Sequence, residues 1–169
     1  MIAEQNTKID SYFSDRIDEQ YRRVINDYLS STPVLVGELA RALGLNVVLA
    51  NLPLNISGMI KPENDGYLIK VNRFDSKERQ RFTIAHEIAH FLLHRDKITG
   101  GVVDSALYRS KLSSRLEAEA NKLAADIIMP RKLIGLHSEQ LRGVSFEQRV
   151  SLLSEKFRVS KSAMEIRLE

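Results

Sequence analysis

The chain has 169 residues, 25 basic and 22 acidic side chains, a net charge of +3, and neither cysteine nor tryptophan. A length of about 150 residues suits a single domain, and a chain of this size buries roughly 70% of its unfolded surface without staples. Zero cysteine excludes disulfides, zinc fingers, iron–sulfur sites and thiol nucleophiles, so any metal site must use histidine, carboxylate, amide or water.

Residues 8–30 are predicted to form one amphipathic helix, because Ile9, Tyr12, Phe13, Ile17, Tyr21, Val24, Ile25, Tyr28 and Leu29 recur at three- and four-residue steps. Ser30-Ser31-Thr32-Pro33 stops it. A short helix over Val36 to Leu43 ends at Gly44, a C-cap. Strands are expected over Asn46 to Ala50, Ile56 to Lys61 and Gly66 to Asn72, the last two joined by an Asn64-Asp65-Gly66 turn. A helix follows from Ser76, its N-cap, to Leu93, with Glu78 in its first turn. Residues 95–111, with Gly100-Gly101, read as loop, and a helix over Ser113 to Ile128 stops before Pro130. Three short helices are expected over Arg131 to Leu136, Ser145 to Lys156 and Ser160 onward. Helices, a small sheet, then helices argue for an α+β fold with an antiparallel or mixed sheet, not a doubly wound parallel one.

Charge is dispersed: residues 1–60 hold 5 basic and 7 acidic groups, residues 61–130 hold 12 and 10, and residues 131–169 hold 8 and 5. That describes a solvated mixed surface, not the concentrated basic face of a nucleic-acid binder. No run approaches the ~18 apolar residues of a membrane span, and the first residues carry no apolar signal core. The expected location is the cytoplasm.

Three of the four histidines, His86, His90 and His94, fall within nine residues. In His86-Glu87-Ile88-Ala89-His90 the two imidazoles, four apart on a helix, differ by about 40° and about 6 Å of rise, so both can grip one ion. Glu87 beside them can reach an activated water as general base; this is the mechanical content of the zinc-protease signature. A catalytic zinc takes a third protein ligand. His94 is two turns, about 12 Å, beyond His86 and cannot reach the same ion from a straight helix. Asp96 stands where a metzincin places its third ligand, but Leu93 occupies the position of the helix-breaking glycine that pattern needs. Glu117 and Glu119 point about 200° apart on the next helix, so only one can face the metal. Asn121 shares a face with Glu117 and can accept the free N–H of a ligand histidine. We therefore assign Glu117 as third ligand and Asn121 as its supporting residue, with Ala120 and Ala124 permitting close helix approach and Glu119 left on the surface. Zinc is the expected ion, although another divalent ion would suit the same donors.

Asn72 and the run Arg79-Gln80-Arg81-Phe82-Thr83-Ile84-Ala85-His86-Glu87-Ile88-Ala89-His90-Phe91-Leu92-Leu93-His94 closely resemble the core of the ImmA/IrrE metallopeptidases. Glu117-Ala118-Glu119-Ala120-Asn121 through Met129-Pro130 resembles that family's third-ligand helix, with Leu123 where an aromatic is commoner. The resemblance implies a gluzincin-like, zinc-dependent endopeptidase with a zincin-like core over residues 1–130 and a helical, helix-turn-helix-like extension over residues 131–169. It also implies a protein substrate, an Xre-type helix-turn-helix repressor or antitoxin whose cleavage relieves transcriptional repression. The alternative is a non-proteolytic metal-binding module that acts by binding such a regulator; an intact Glu87 favours the enzyme.

Tyr108 is a candidate electrophile for the oxyanion. The Gly66–Asn72 strand could sit at a sheet edge and pair with an extended substrate. His94 is expected to cap or pack, and His137 to lie on the surface. Glu155, Glu165 and Glu169 in the tail argue against direct DNA binding, which leaves packing on the core or docking a protein substrate.

Overall fold

Three short β-rich runs build a sheet, and a computed structural model that describes residues 9, 11–98, 103–104 and 114–169 shows how it is covered. The strands are β1 (Leu45–Ala50), β2 (Gly58–Glu63), β3 (Gly66–Asn72) and the short β4 (Val103–Asp104), in the order β1-β3-β2-β4. β1 runs parallel to β3, while the β2–β3 and β2–β4 pairs are antiparallel, so the sheet is mixed and the fold α+β. Asn64 turns the β2–β3 hairpin with φ of 51°, a left-handed conformation that asparagine tolerates.

The helices are α1 (Ser11–Ser14), α2 (Glu19–Tyr28), α3 (Val36–Ala42), α4 (Lys77–His94), α5 (Ser114–Ile128), α6 (Arg131–Gln140), α7 (Phe146–Phe157) and α8 (Lys161–Leu168). Gly44, at φ of 80°, closes α3 as its C-cap glycine. The Ser76 hydroxyl accepts the Arg79 N–H at the start of α4. None of the described helices is long and apolar enough to cross a membrane. One cluster of buried apolar side chains runs from Ile9 through α4 and α5 to Met164 of α8.

Three expectations are corrected. The helix over residues 8–30 is two helices, α1 and α2, separated by a turn at Asp15–Asp18. Aspartates such as Asp15 and Asp18 favour turns and caps over helix interiors, and Ile17 still points into the core, which is why the apolar period runs on across the break. The Gly66–Asn72 strand is central, not an edge: β3 hydrogen-bonds β1 on one side and β2 on the other, which pairs its backbone N–H and C=O groups along both edges. Residues 95–111 hold more than loop, since Arg95–Lys97 form a 3-10 turn and Val103–Asp104 form β4.

Asn72 ties the sheet to α4. Its side-chain amide donates to the carbonyls of Leu52, Pro53 and Ile56, its Oδ1 accepts the Phe74 N–H, and Gln80 of α4 donates to its carbonyl at 3.0 Å. Both side chains are buried. A single polar residue thereby satisfies a loop that would otherwise bury unpaired backbone.

Candidate metal centre

α4 is buried on most of its circumference: Ala85, Ile88 and Ala89 are inaccessible, and His86, Glu87, His90 and His94 are nearly so. Its histidine-bearing face meets α5. By helical period Ala120 and Ala124 share the face of Glu117 and Asn121, and both are fully buried, which lets the two helices approach closely. The first turn of α5 thus carries Glu117 to the histidines.

One ligand atom from each of His86, His90 and Glu117 can be chosen so that all lie within 4.8 Å of one another. The Nε2 atoms of His86 and His90 are 3.0 Å apart, and Glu117 carboxylate oxygens lie 3.5 Å from His86 Nε2 and 3.2 Å from His90 Nε2. Tetrahedral zinc with bonds of about 2.0–2.1 Å sets its ligand atoms roughly 3.3 Å apart, so donor types and spacing both fit such an ion. The Asn121 Oδ1, which can only accept, lies 3.0 Å from His86 Nδ1. His86 therefore carries its proton on Nδ1 and presents a bare Nε2 to the cluster. Phe82 stacks on the His86 ring, with centroids 6.3 Å apart.

Glu87 and His86 open onto a cleft of about 940 Å³, walled on the opposite side by the end of α7 and the start of α8. Gly58 of β2 forms its floor beside the base: a Cβ there would stand 2.4 Å from Thr83 Cγ2, 2.9 Å from the Lys70 carbonyl oxygen and 3.7 Å from Glu87 Oε1. Gly58→Ala is expected to push β2 off α4 and cost roughly 1–3 kcal/mol, as overpacking does. The urea midpoint measures this, and an unchanged midpoint would show that the strand gives way freely. A glycine opening a strand is a sequence cue for such close approach, and sequence reasoning passed over it.

The other candidates fall elsewhere. Asp96 points to solvent, its side chain 74% exposed beside Lys97 at 3.6 Å. Tyr108 lies outside the described residues. His94 does not join the cluster; it hydrogen-bonds His90 and Glu119. Glu119 is the main correction. Expected at the surface, it is buried, because Arg16, Arg115 and Tyr12 enclose its carboxylate and supply the partners that burial demands. Its hydrogen bond from Arg16, helped by those from His94 and Arg115 and opposed by burial, holds its carboxyl down at about 2. His137 is likewise no surface bystander: it is half-buried, with Nε2 3.2 Å from Thr32 Oγ1 and its ring edge-on to Phe157.

Comparison with known proteins follows the same motifs. The model of the peptidase family described as the IrrE N-terminal-like domain matches residues 40–169. Metallopeptidase ImmA of Bacillus subtilis is 33% identical over 84 residues, 50% of this chain and 47% of ImmA. The radiation response metalloprotease IrrE of Deinococcus radiodurans is 36% identical over 77 residues, 46% of this chain and 23% of IrrE. The chain thus matches under half the length of each of these relatives. A solved Mycobacterium tuberculosis transcriptional regulator superposes with a TM-score of 0.58 at 21% identity, covering 93% of this chain and 49% of that one, a likeness of fold.

Proposed function

The chain belongs to the IrrE N-terminal-like peptidase family, and on that premise we propose that it is a zinc-dependent endopeptidase acting on a protein substrate. The observation that carries the reading is the convergence of His86, His90 and Glu117 within 4.8 Å beside a cleft that His86 and Glu87 line. His86, His90 and Glu117 would hold the ion. When bound, zinc supplies a Lewis acid that activates water and polarises a carbonyl. Glu87 takes the proton from the attacking water and delivers it to the leaving amine. Asn121 fixes the His86 ring by accepting its Nδ1 proton. Phe82 and α8 line the cleft, which is large enough for an extended peptide.

The substrate we propose is a helix-turn-helix regulator of the Xre class, cleaved in the cytoplasm to relieve repression. Residues 1–130 would carry the chemistry, and residues 131–169 would complete the cleft wall and meet the substrate. The support is the resemblance of the two motifs, together with the place of Arg158 to Ala163 along the cleft. Incubation of the zinc-loaded protein with an Xre-type helix-turn-helix regulator is expected to yield two fragments by mass spectrometry. Chelation should abolish cleavage and added zinc restore it. A stable complex with zinc bound and no cleavage would instead mark a binding module.

A further inference from the structure

We propose that His94 and Glu119 are positioning residues that set the proton on His90, so that its bare Nε2 faces His86 and Glu117. The inference rests on the metal-site reading above. His90 Nδ1 lies 3.0 Å from His94 Nδ1, and His94 Nε2 lies 3.3 Å from Glu119 Oε2. Each contact takes one proton, and neutral rings can satisfy both in one way only. The Glu119 carboxylate is an acceptor: it already takes Arg16 Nη2 at 2.9 Å and Arg115 Nε at 3.3 Å. His94 must then donate from Nε2, and its Nδ1 is left to accept. The proton between the two rings therefore belongs to His90 Nδ1, and His90 Nε2 is bare, as a metal-binding imidazole must be.

Burial supports this order of protons. His94 and Glu119 are both nearly inaccessible, so water does not compete for these contacts. The two ligand histidines thus take their orientation from different sources. His86 takes it from Asn121 on α5. His90 takes it from a chain of contacts that ends on Arg16, with the Tyr12 hydroxyl 3.5 Å from the same carboxylate. Arg16 and Tyr12 precede residue 40, where the family match begins. The N-terminal segment of this chain is therefore part of what holds the metal site in shape.

Long-range proton–nitrogen correlation spectra of the metal-free wild-type protein read the tautomer directly. The expected result is a protonated Nδ1 and a bare Nε2 on His90; a proton on Nε2 would overturn the inference. Zinc affinity, measured by competition with a chromophoric chelator, should fall about 10–100-fold in His94→Phe and Glu119→Gln. Arg16→Ala should weaken it too, and Arg16→Lys should recover part of the loss. Folded variants with wild-type affinity would overturn this inference alone. A wild-type protein that bound no zinc would overturn the metal-site reading and this inference with it. The tautomer measurement needs no variant, so it decides even if a substitution prevents folding.

Discussion

Glu87→Gln is expected to keep its zinc and lose peptide cleavage by about 10²–10⁴-fold, the usual contribution of a positioned general base. The amide is nearly isosteric with the carboxylate, and Glu87 is 2% exposed between Gly58 and the histidines, so the substitution changes proton affinity without changing shape. The ligand set His86, His90 and Glu117 is untouched. Metal content and kcat on the same preparation separate the two effects. Undiminished kcat would remove Glu87 from the mechanism, whereas a simultaneous loss of metal would show that the residue holds the ion.

Arg167→Ala is expected to be the most damaging substitution outside the metal site. Arg167 of α8 donates to Asp126 Oδ1 of α5 at 2.6 Å and to the Met129 carbonyl at 2.9 Å, with side-chain exposures of 6% and 7% for the two charged residues. Removing the guanidinium leaves a buried carboxylate that has lost its counter-ion, a loss of about 3–5 kcal/mol. Water cannot readily replace the cation there, and Asp126 Oδ2 already lacks a hydrogen-bond partner. The double variant Asp126→Leu with Arg167→Met should regain most of the stability, because a buried ion pair roughly balances its own desolvation. Urea unfolding of the single and double variants checks both statements; a single variant within about 1 kcal/mol of wild type would show that the pair is water-accessible. Since Ala163 and Ile166 of α8 line the cleft, loosening the helix should also raise KM for a peptide substrate.

These two predictions differ in how far they could be read from sequence. Glu87 was legible because the spacing His86-Glu87-Ile88-Ala89-His90 has one consequence on a helix, and α4 is a helix over its whole length with the predicted Ser76 cap. Glu117 and Asn121 were legible by the same local rule once α5 was recognised. Arg167 and Asp126 are 41 residues apart, and each looks like an ordinary surface charge on an amphipathic helix. Glu119 misled for a related reason. Its direction, away from the His86–His90–Glu117 cluster, followed from the helical period, but direction says nothing about what waits there. Arg16, 103 residues earlier, turns that side of α5 into an interior. The break between α1 and α2 that brings Arg16 into reach was hidden because the apolar period does not stop at the turn.

The sequence by itself determined the α+β class, the helical placement of His86, Glu87 and His90, and the exclusion of thiolate from any metal site in a cysteine-free chain. All of these depend on the period of a helix or on composition, and are local. Only the tertiary structure decided that β3 is central, that His94 and Glu119 contact His90 in a chain, and that α8 lines the cleft. Those outcomes depend on which distant side chains share a buried space. The cost of burying a charge without a partner selects the pairs, and that selection is made only when the chain has folded.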